Sequence, residues 1–321
     1  MMDNVPSIPP GFRCGYVAIV GEPNAGKSTL MNGLLAQKIS IVTKKPQTTR
    51  HRIIGILTTD AYQAVFLDTP GIIEPRYALH EAMMDAAASA ISDADIILFM
   101  IDAAIPPPAD DPREAAALKR LSASAKPVYL VLNKVDLVDK SLLLPLIDRY
   151  SKRHAFREVF PVSALTGDGT AGLLASVSSR LPVHPPLYPA DIVSEHNDRF
   201  FVGEIIREKI FMRCQEEVPY STTVEIAEFI ERGESPDGKP VPAKGGKKPK
   251  WFISADIFVE RDSQKGILIG KKGAMLKEIG ELARRDIERF LDHMVFLELH
   301  VKVRAGWRAD KEWLERQGYR R

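Results

Sequence analysis

Eight residues near the start of the chain, Gly21-Glu22-Pro23-Asn24-Ala25-Gly26-Lys27-Ser28, fit the pattern GxxxxGK[ST]. The spacing suits a polyphosphate. Glycines let the backbone wrap closely around oxygens, so successive N–H groups point inward as an anion nest. A helix opening at Lys27 adds the positive end of its dipole. Lys27 can reach the β- and γ-phosphates, and the Ser28 hydroxyl can ligate a Mg²⁺ ion that bridges them. The motif follows an apolar run at residues 15–20 and precedes a helical pattern, which is the context it requires.

Two further clusters belong with it. Asp68-Thr69-Pro70-Gly71 matches DxxG, a pattern expected about once in any chain of this composition. Its position gives it meaning, because it ends an apolar run predicted to lie beside the first strand. There Asp68 can hold Mg²⁺ through water, and the Gly71 amide can meet the γ-phosphate and register its loss. Asn133-Lys134-Val135-Asp136 also stands at the end of an apolar run. The Asp136 carboxylate can accept from guanine N1–H and from the 2-amino group. Adenine offers neither donor, so ATP would leave a desolvated carboxylate unpaired, a mismatch worth ~10⁴-fold in selectivity. The Lys134 stem can pack over the base with its ammonium in water. Asn133 is expected to tie neighbouring loops together, and Ser163-Ala164-Leu165 to offer a backbone N–H to guanine O6. GTP and GDP are therefore the expected ligands.

These residues need a scaffold that brings strand ends together. Apolar runs at 15–20, 51–57, 62–67, 96–101, 128–132 and 159–162 alternate with helical patterns such as 27–35, 78–91 and 113–121. Several runs are apolar on both faces, as buried parallel strands are. The pattern predicts a doubly wound α/β domain over residues 15–181, behind a tail at 1–14. Only residues 58–61 join the second and third runs, so that pair must be antiparallel and at one edge. Pro182, Pro185, Pro186 and Pro189 place a linker next, over 182–199.

Residues 200–308 have another grammar: a helix at 204–213, strands at 223–230 and 251–260, a short apolar turn at 266–269, a long amphipathic helix at 274–291 and a strand at 295–303. Mixed elements of this kind predict an α+β layer domain. At its centre stands Gly270-Lys271-Lys272-Gly273 after Ile269. Small glycines would let a phosphodiester approach closely. A helix N-terminus with Lys271 and Lys272 would hold its charge, and Lys265 and Lys277 would extend the positive rim. A solvated lysine turn is the bland alternative. Residues 233–250 are rich in Lys, Gly and Pro and read as a flexible loop, and 309–321 as a C-terminal tail.

Bulk properties restrict the remaining classes. The chain has 321 residues, 45% hydrophobic and 27% charged, with net charge +2, an ordinary globular composition that does not itself announce a nucleic-acid partner. Two distant cysteines, Cys14 and Cys214, lack CxxC or CxxH companions, so structural zinc is not expected. No signal peptide or membrane span is legible, and a cytoplasmic protein is expected.

The motifs in this order are similar to the translation-factor-related GTPases. Gln47-Thr48-Thr49-Arg50-His51, the wording Asp68-Thr69-Pro70-Gly71 and residues 267–273 resemble more closely the Era family. That family, within the TrmE–Era–EngA-like class, joins a GTPase domain to a C-terminal KH domain, and the resemblance runs from about residue 15 to 308. It implies that Thr49, with Thr48 as second choice, ligates Mg²⁺ in the GTP state. Ser28, Thr49 and Asp68 would then form the metal set, and Lys27, Thr49 and Gly71 the catalytic set. Asn24 corresponds to a phosphate-loop asparagine that helps coordinate K⁺ in relatives. Ile72 stands where many small GTPases carry a water-orienting glutamine, which implies slow hydrolysis. The implied RNA is single-stranded, near the 3′ end of 16S ribosomal RNA, and the implied role is assembly of the 30S subunit. A monomer with weak peripheral association at the inner membrane is also implied. The rival readings are an RNA chaperone with a vestigial nucleotide site and a GTPase of tRNA modification. A lipid-anchored signalling GTPase would need a C-terminal cysteine, and the chain ends Gly-Tyr-Arg-Arg.

Overall fold

The structure, a computed structural model, describes residues 9–231 and 250–319. The lysine-rich stretch expected at 233–250 lies outside the described residues except for Lys250. The chain forms two compact units, Met1–Arg76 with His80–Glu195, and Tyr77–Leu79 with His196–Arg321.

In the first unit the elements follow as β1 (Arg13–Gly21), α1 (Lys27–Leu35), β2 (Ile53–Thr58), β3 (Tyr62–Asp68), α2 (Ala78–Asp93) and β4 (Ile96–Asp102). Then come α3 (Pro112–Ala123), β5 (Val128–Asn133), α4 (Leu143–Ser151), β6 (Val159–Pro161) and α5 (Thr170–Arg180). The sheet order is β2-β3-β1-β4-β5-β6. Every pairing is parallel except β2 with β3, the antiparallel edge that the short connection demands. All six residues of β5 are buried, as in a parallel strand covered on both faces. Parallel pairing also brings the C-terminal ends of β1, β3, β4 and β5 to one side, where open α/β sheets bind ligands.

The proline-rich segment is not a free connector in its first part. The carbonyl of Pro182 accepts from the Cys14 N–H (3.0 Å), and that of Val193 accepts from the Ile56 N–H (2.9 Å). The wholly buried Gln63 behaves like one more backbone unit. Its Oε1 accepts from Leu187 and Tyr188 N–H (2.8 and 3.0 Å), and its Nε2 donates to the Tyr188 carbonyl (2.8 Å). Prolines remove donors but leave carbonyls, and carbonyls are what several of these contacts use.

The second unit contains α6 (Asp198–Arg213), β7 (Thr223–Ile230), β8 (Trp251–Val259), α7 (Asp262–Ile269), α8 (Ala274–Leu291), β9 (Val295–Val303) and α9 (Lys311–Arg316). Its sheet runs β7-β8-β9, antiparallel then parallel, with α7 and α8 forming the crossover that a parallel pair needs. Ile206 and Ile210 of α6 and Ile279, Ala283 and Ile287 of α8 pack on Ile253, Ala255 and Ile257 of the sheet.

Two sequence expectations change here. Residues 266–269, expected as a turn, are the second half of α7. The helix starts early because the buried Gln264 side chain accepts from Glu260 and Arg261 N–H (3.0 and 3.2 Å), a cap that is not among the Ser, Thr, Asp and Asn signals. The segment 309–321, expected as a tail, contains α9, where Asp310 accepts from Trp313 N–H (3.0 Å) and Trp313 and Leu314 are buried. No helix among the described residues is long and apolar enough to cross a membrane.

Candidate nucleotide and RNA sites

The phosphate loop joins β1 to α1. Gly26 caps α1 in a left-handed conformation (φ 100°), and no side chain caps the helix. The first N–H groups of α1 are therefore left for a ligand. Buried Lys27 turns its ammonium inward, donating to the carbonyls of Gly21 (3.1 Å) and Glu22 (2.8 Å). Burial lowers its pKa to about 8. Neutral carbonyls do not balance a buried cation, and the Asp68 and Glu22 charges offset its burial only in part, so the ammonium gains from phosphate oxygens.

Hard oxygen donors converge beside it. Ser28 Oγ donates to Asp68 Oδ2 (2.6 Å) and lies 2.9 Å from Thr49 Oγ1. Ser40 Oγ donates to the same Oδ2 (2.9 Å). Burial pushes the Asp68 carboxyl pKa up, and its Oδ1 is buried without a hydrogen-bond partner. A buried carboxylate with an orphaned oxygen and three hydroxyls in its cluster fits a Mg²⁺ ion, which prefers oxygen ligands and few carboxylates. Thr48 Oγ1 instead donates to Lys45 O (2.8 Å) and lies 2.6 Å from Thr43 Oγ1. Ser40 carries no motif, and only the fold brings it here.

Gly71 must be glycine for steric reasons. A Cβ there would lie 2.5 Å from Pro23 N, so the DxxG segment rests directly on the phosphate loop. Ile72 N–H continues the contact, donating to Gly21 O (3.1 Å). Thr69 Oγ1 anchors the segment to Ile19 O (2.8 Å). Asn24, at φ 63°, donates from Nδ2 to Lys44 O (3.1 Å), linking the loop to the segment that carries Thr49.

Asn133 joins the two halves of the nucleotide site. Its Nδ2 donates to Ala25 O (2.7 Å) and its Oδ1 accepts from Ala164 N–H (2.8 Å). The fit is close enough that a Cβ on Gly26 would lie 2.1 Å from that Nδ2. Ala164 N–H is thereby engaged, while Ser163 N–H donates to Asp168 O (2.9 Å). Lys134 turns the chain out of β5 at φ 66°, and Asp136 follows, exposed in the short turn Val135–Leu137. The Lys134 ammonium, expected in water, pairs with Asp102 at the end of β4. Asp102 sits opposite Asn133 in the sheet register, so only the pairing of β4 with β5 reveals it.

In the second unit Gly270 (φ 72°, ψ 176°) breaks α7 from the following turn. A Cβ there would stand 2.7 Å from Met275 Cβ. Lys272 (φ 53°) and Gly273 (φ 81°) complete a left-handed turn, and α8 starts after Gly273 with no side-chain cap. Lys271, Lys272 and Lys277 are exposed, Lys265 and Ile269 half-buried, and Ile267 is 51% exposed beside them. An uncapped helix start, glycines on either side of the turn and the exposed Lys271 and Lys272 form an anion cradle next to apolar surface, while Lys277 lies 4.0 Å from Glu281.

A nucleotide cradle at the strand ends of a doubly wound sheet, followed by a GxxG module, defines a P-loop GTPase with a KH-type RNA-binding domain. The model of the 50S ribosome-binding GTPase family matches residues 16–134, and that of the KH domain residues 239–308. GTPase Era of Geobacter metallireducens is 47% identical over 308 residues, covering 96% of this chain and 98% of that protein. GTPase Era of Geotalea daltonii is 48% identical with the same coverage. The chain belongs to the GTPase Era family. Two crystal structures, each 40% identical, cover 97% of this chain and are matched over their whole length. They are Aquifex aeolicus Era bound to GDP·AlF4⁻ (TM-score 0.87), and Era in complex with MgGDPNP and nucleotides 1506–1542 of 16S ribosomal RNA (TM-score 0.88).

Proposed function

We propose that the protein is a GTP-controlled RNA-binding factor for assembly of the 30S subunit, binding single-stranded 16S ribosomal RNA near its 3′ end. The observation that carries this is the presence on one chain of the Asp68–Ser28–Thr49 oxygen cluster beside Lys27 and the bare glycine turn 270–273. The relative solved with MgGDPNP and 16S nucleotides supports it. Residues 15–181 serve as the GTPase domain and 200–308 as the KH domain.

Lys27 and the loop 21–28 hold the β- and γ-phosphates. Ser28, Thr49 and Asp68 hold Mg²⁺, which neutralises charge developing on the transferred phosphoryl group. Gly71 senses the γ-phosphate, and Asp136 with the 163–165 loop reads guanine. Asn24 contributes an oxygen to K⁺. Without a cation Nδ2 donates to Lys44 O (3.1 Å); K⁺ binding would turn the amide over, exchanging that bond for Oδ1 and Lys44 O as neighbouring oxygen ligands. Ile72 packs against the core and has no polar group with which to orient water, so unassisted hydrolysis is slow. GTP orders the segments around Thr49 and Gly71, and hydrolysis releases them. The protein acts as a cytoplasmic monomer with weak peripheral contact at the inner membrane.

Replacing Lys271 and Lys272 with Asp tests the RNA half. Repulsion then replaces attraction, and a helix N-terminus worth ~0.3–1 kcal/mol cannot offset it. Binding to an oligonucleotide of the 16S 3′ end is expected to collapse while GDP affinity stays unchanged. Retained RNA binding in this variant, with loss on deleting residues 233–249, would move the RNA site to the lysine-rich segment.

A further inference from the structure

Between α2, α3 and the segment Ile72–Pro75 lies a cavity of ≈ 360 Å³ that the nucleotide site does not use. Its floor is apolar and buried: Val20 of β1, Phe99 of β4, Met84 of α2 and Leu121 of α3. Exposed alanines, Ala88 on α2 and Ala116 on α3, stand on opposite walls. The volume falls within the range of small-molecule sites, about 300–1,000 Å³. Clefts of this size with a mostly apolar lining take the apolar bodies of small ligands, and a few polar groups at the edge fix their orientation.

The rim carries both signs, and exposed Glu74 lies on the Arg113 side of it. Arg113 is committed to Asp111 (2.6 Å) and lies 3.6 Å from Glu22 of the phosphate loop. Arg120, also on the rim, is exposed and has no ion pair among the described residues. We propose that this cavity is a binding site for a small amphipathic anion, its apolar body against Phe99 and Met84 and its single negative group at Arg120. One wall is the segment that follows Gly71, and its Ile72 N–H is bonded to Gly21 O (3.1 Å). If a γ-phosphate draws on Gly71, that wall moves. Ligand and nucleotide are then linked, and the affinity for the anion differs between the GDP form and the form bound to a non-hydrolysable GTP analogue. This linkage rests on the proposed role of Gly71, whereas binding itself does not.

The probe is 8-anilinonaphthalene-1-sulfonate, a fused aromatic body with one anionic end, titrated by fluorescence into the full chain loaded with GDP or the analogue. One site per chain is expected. Ala116→Trp and Ala88→Trp, which fill the mouth from opposite helices, should each weaken it roughly tenfold or more by overfilling. Arg120→Glu should weaken it about fivefold, the worth of one exposed ion pair. GDP affinity, measured on the same samples, reports that each variant is folded. Unchanged probe affinity in both tryptophan variants overturns the site. Unchanged affinity in Arg120→Glu alone overturns the anionic contact. Equal affinity in the two nucleotide states overturns the linkage, and failure to bind GDP at all would instead strike the proposed function.

Discussion

Replacing Asn133 with Ala removes the amide that spans the nucleotide site. Both of its hydrogen bonds, to Ala25 O at 2.7 Å and from Ala164 N–H at 2.8 Å, are buried. The net worth of two such bonds is about 2 kcal/mol, and each partner left unpaired costs about 1–3 kcal/mol. Part of that loss falls on folding, because the nucleotide-free protein uses the same bonds. Assigning about 2–3 kcal/mol to binding gives roughly a 30- to 150-fold rise in Kd. The loss should be equal for GDP and GTP, since neither bond concerns the γ-phosphate. Asn133→Asp should be worse, because a carboxylate oxygen would replace the donor that faces Ala25 O. Titration with a fluorescent GDP analogue, beside a thermal melt of each variant, measures both parts. A loss under threefold in a folded protein, or a loss confined to GTP, would refute the idea that Asn133 couples the phosphate loop to the base loop.

Other outcomes follow from single groups. Asp136→Asn exchanges one acceptor for a donor that suits a 2-keto purine, so preference should move from GTP towards xanthosine triphosphate; undiminished GTP preference in competition binding sinks the base-site assignment. Lys27, held at about 8 by burial, must be protonated to meet phosphate, so binding takes up a proton above that pH. GTP affinity should fall roughly tenfold between pH 7.5 and 9, and calorimetry in buffers of different ionisation enthalpy should show uptake of most of one proton at pH 8.5. No uptake, or equal uptake in Lys27→Ala, contradicts the assignment. Single-turnover hydrolysis should be faster in K⁺ than in Na⁺ at equal ionic strength, because a monovalent cation beside Asn24 supplies charge stabilisation that Ile72 cannot; equal rates refute the K⁺ site alone.

The chemistry proposed for this protein is legible in short contiguous motifs. Recognition of phosphate by a glycine-rich loop, of guanine by NKxD and of a phosphodiester by GxxG each uses contiguous residues and their own backbone, so type and spacing suffice. The two-sided apolar strands likewise announced the parallel sheet, and the short connection at 58–61 its antiparallel edge. Contacts between distant residues were left to the tertiary structure. Asn133 reaches Ala25 across 108 positions, and Ser40 joins the Asp68 cluster from a stretch without a motif. Asp102 takes the Lys134 ammonium only because β4 pairs with β5. The prolines at 182–189 read as a linker, yet Gln63 binds the segment to the sheet through a hydrogen-bond pattern that no local propensity encodes. α7 escaped for another reason: its start is held by Gln264 from within the first turn, without the Ser, Thr, Asp or Asn that marks a helix start in a sequence. Local sequence specifies what a backbone segment can bind, whereas which side chains meet across the core depends on how the whole chain packs.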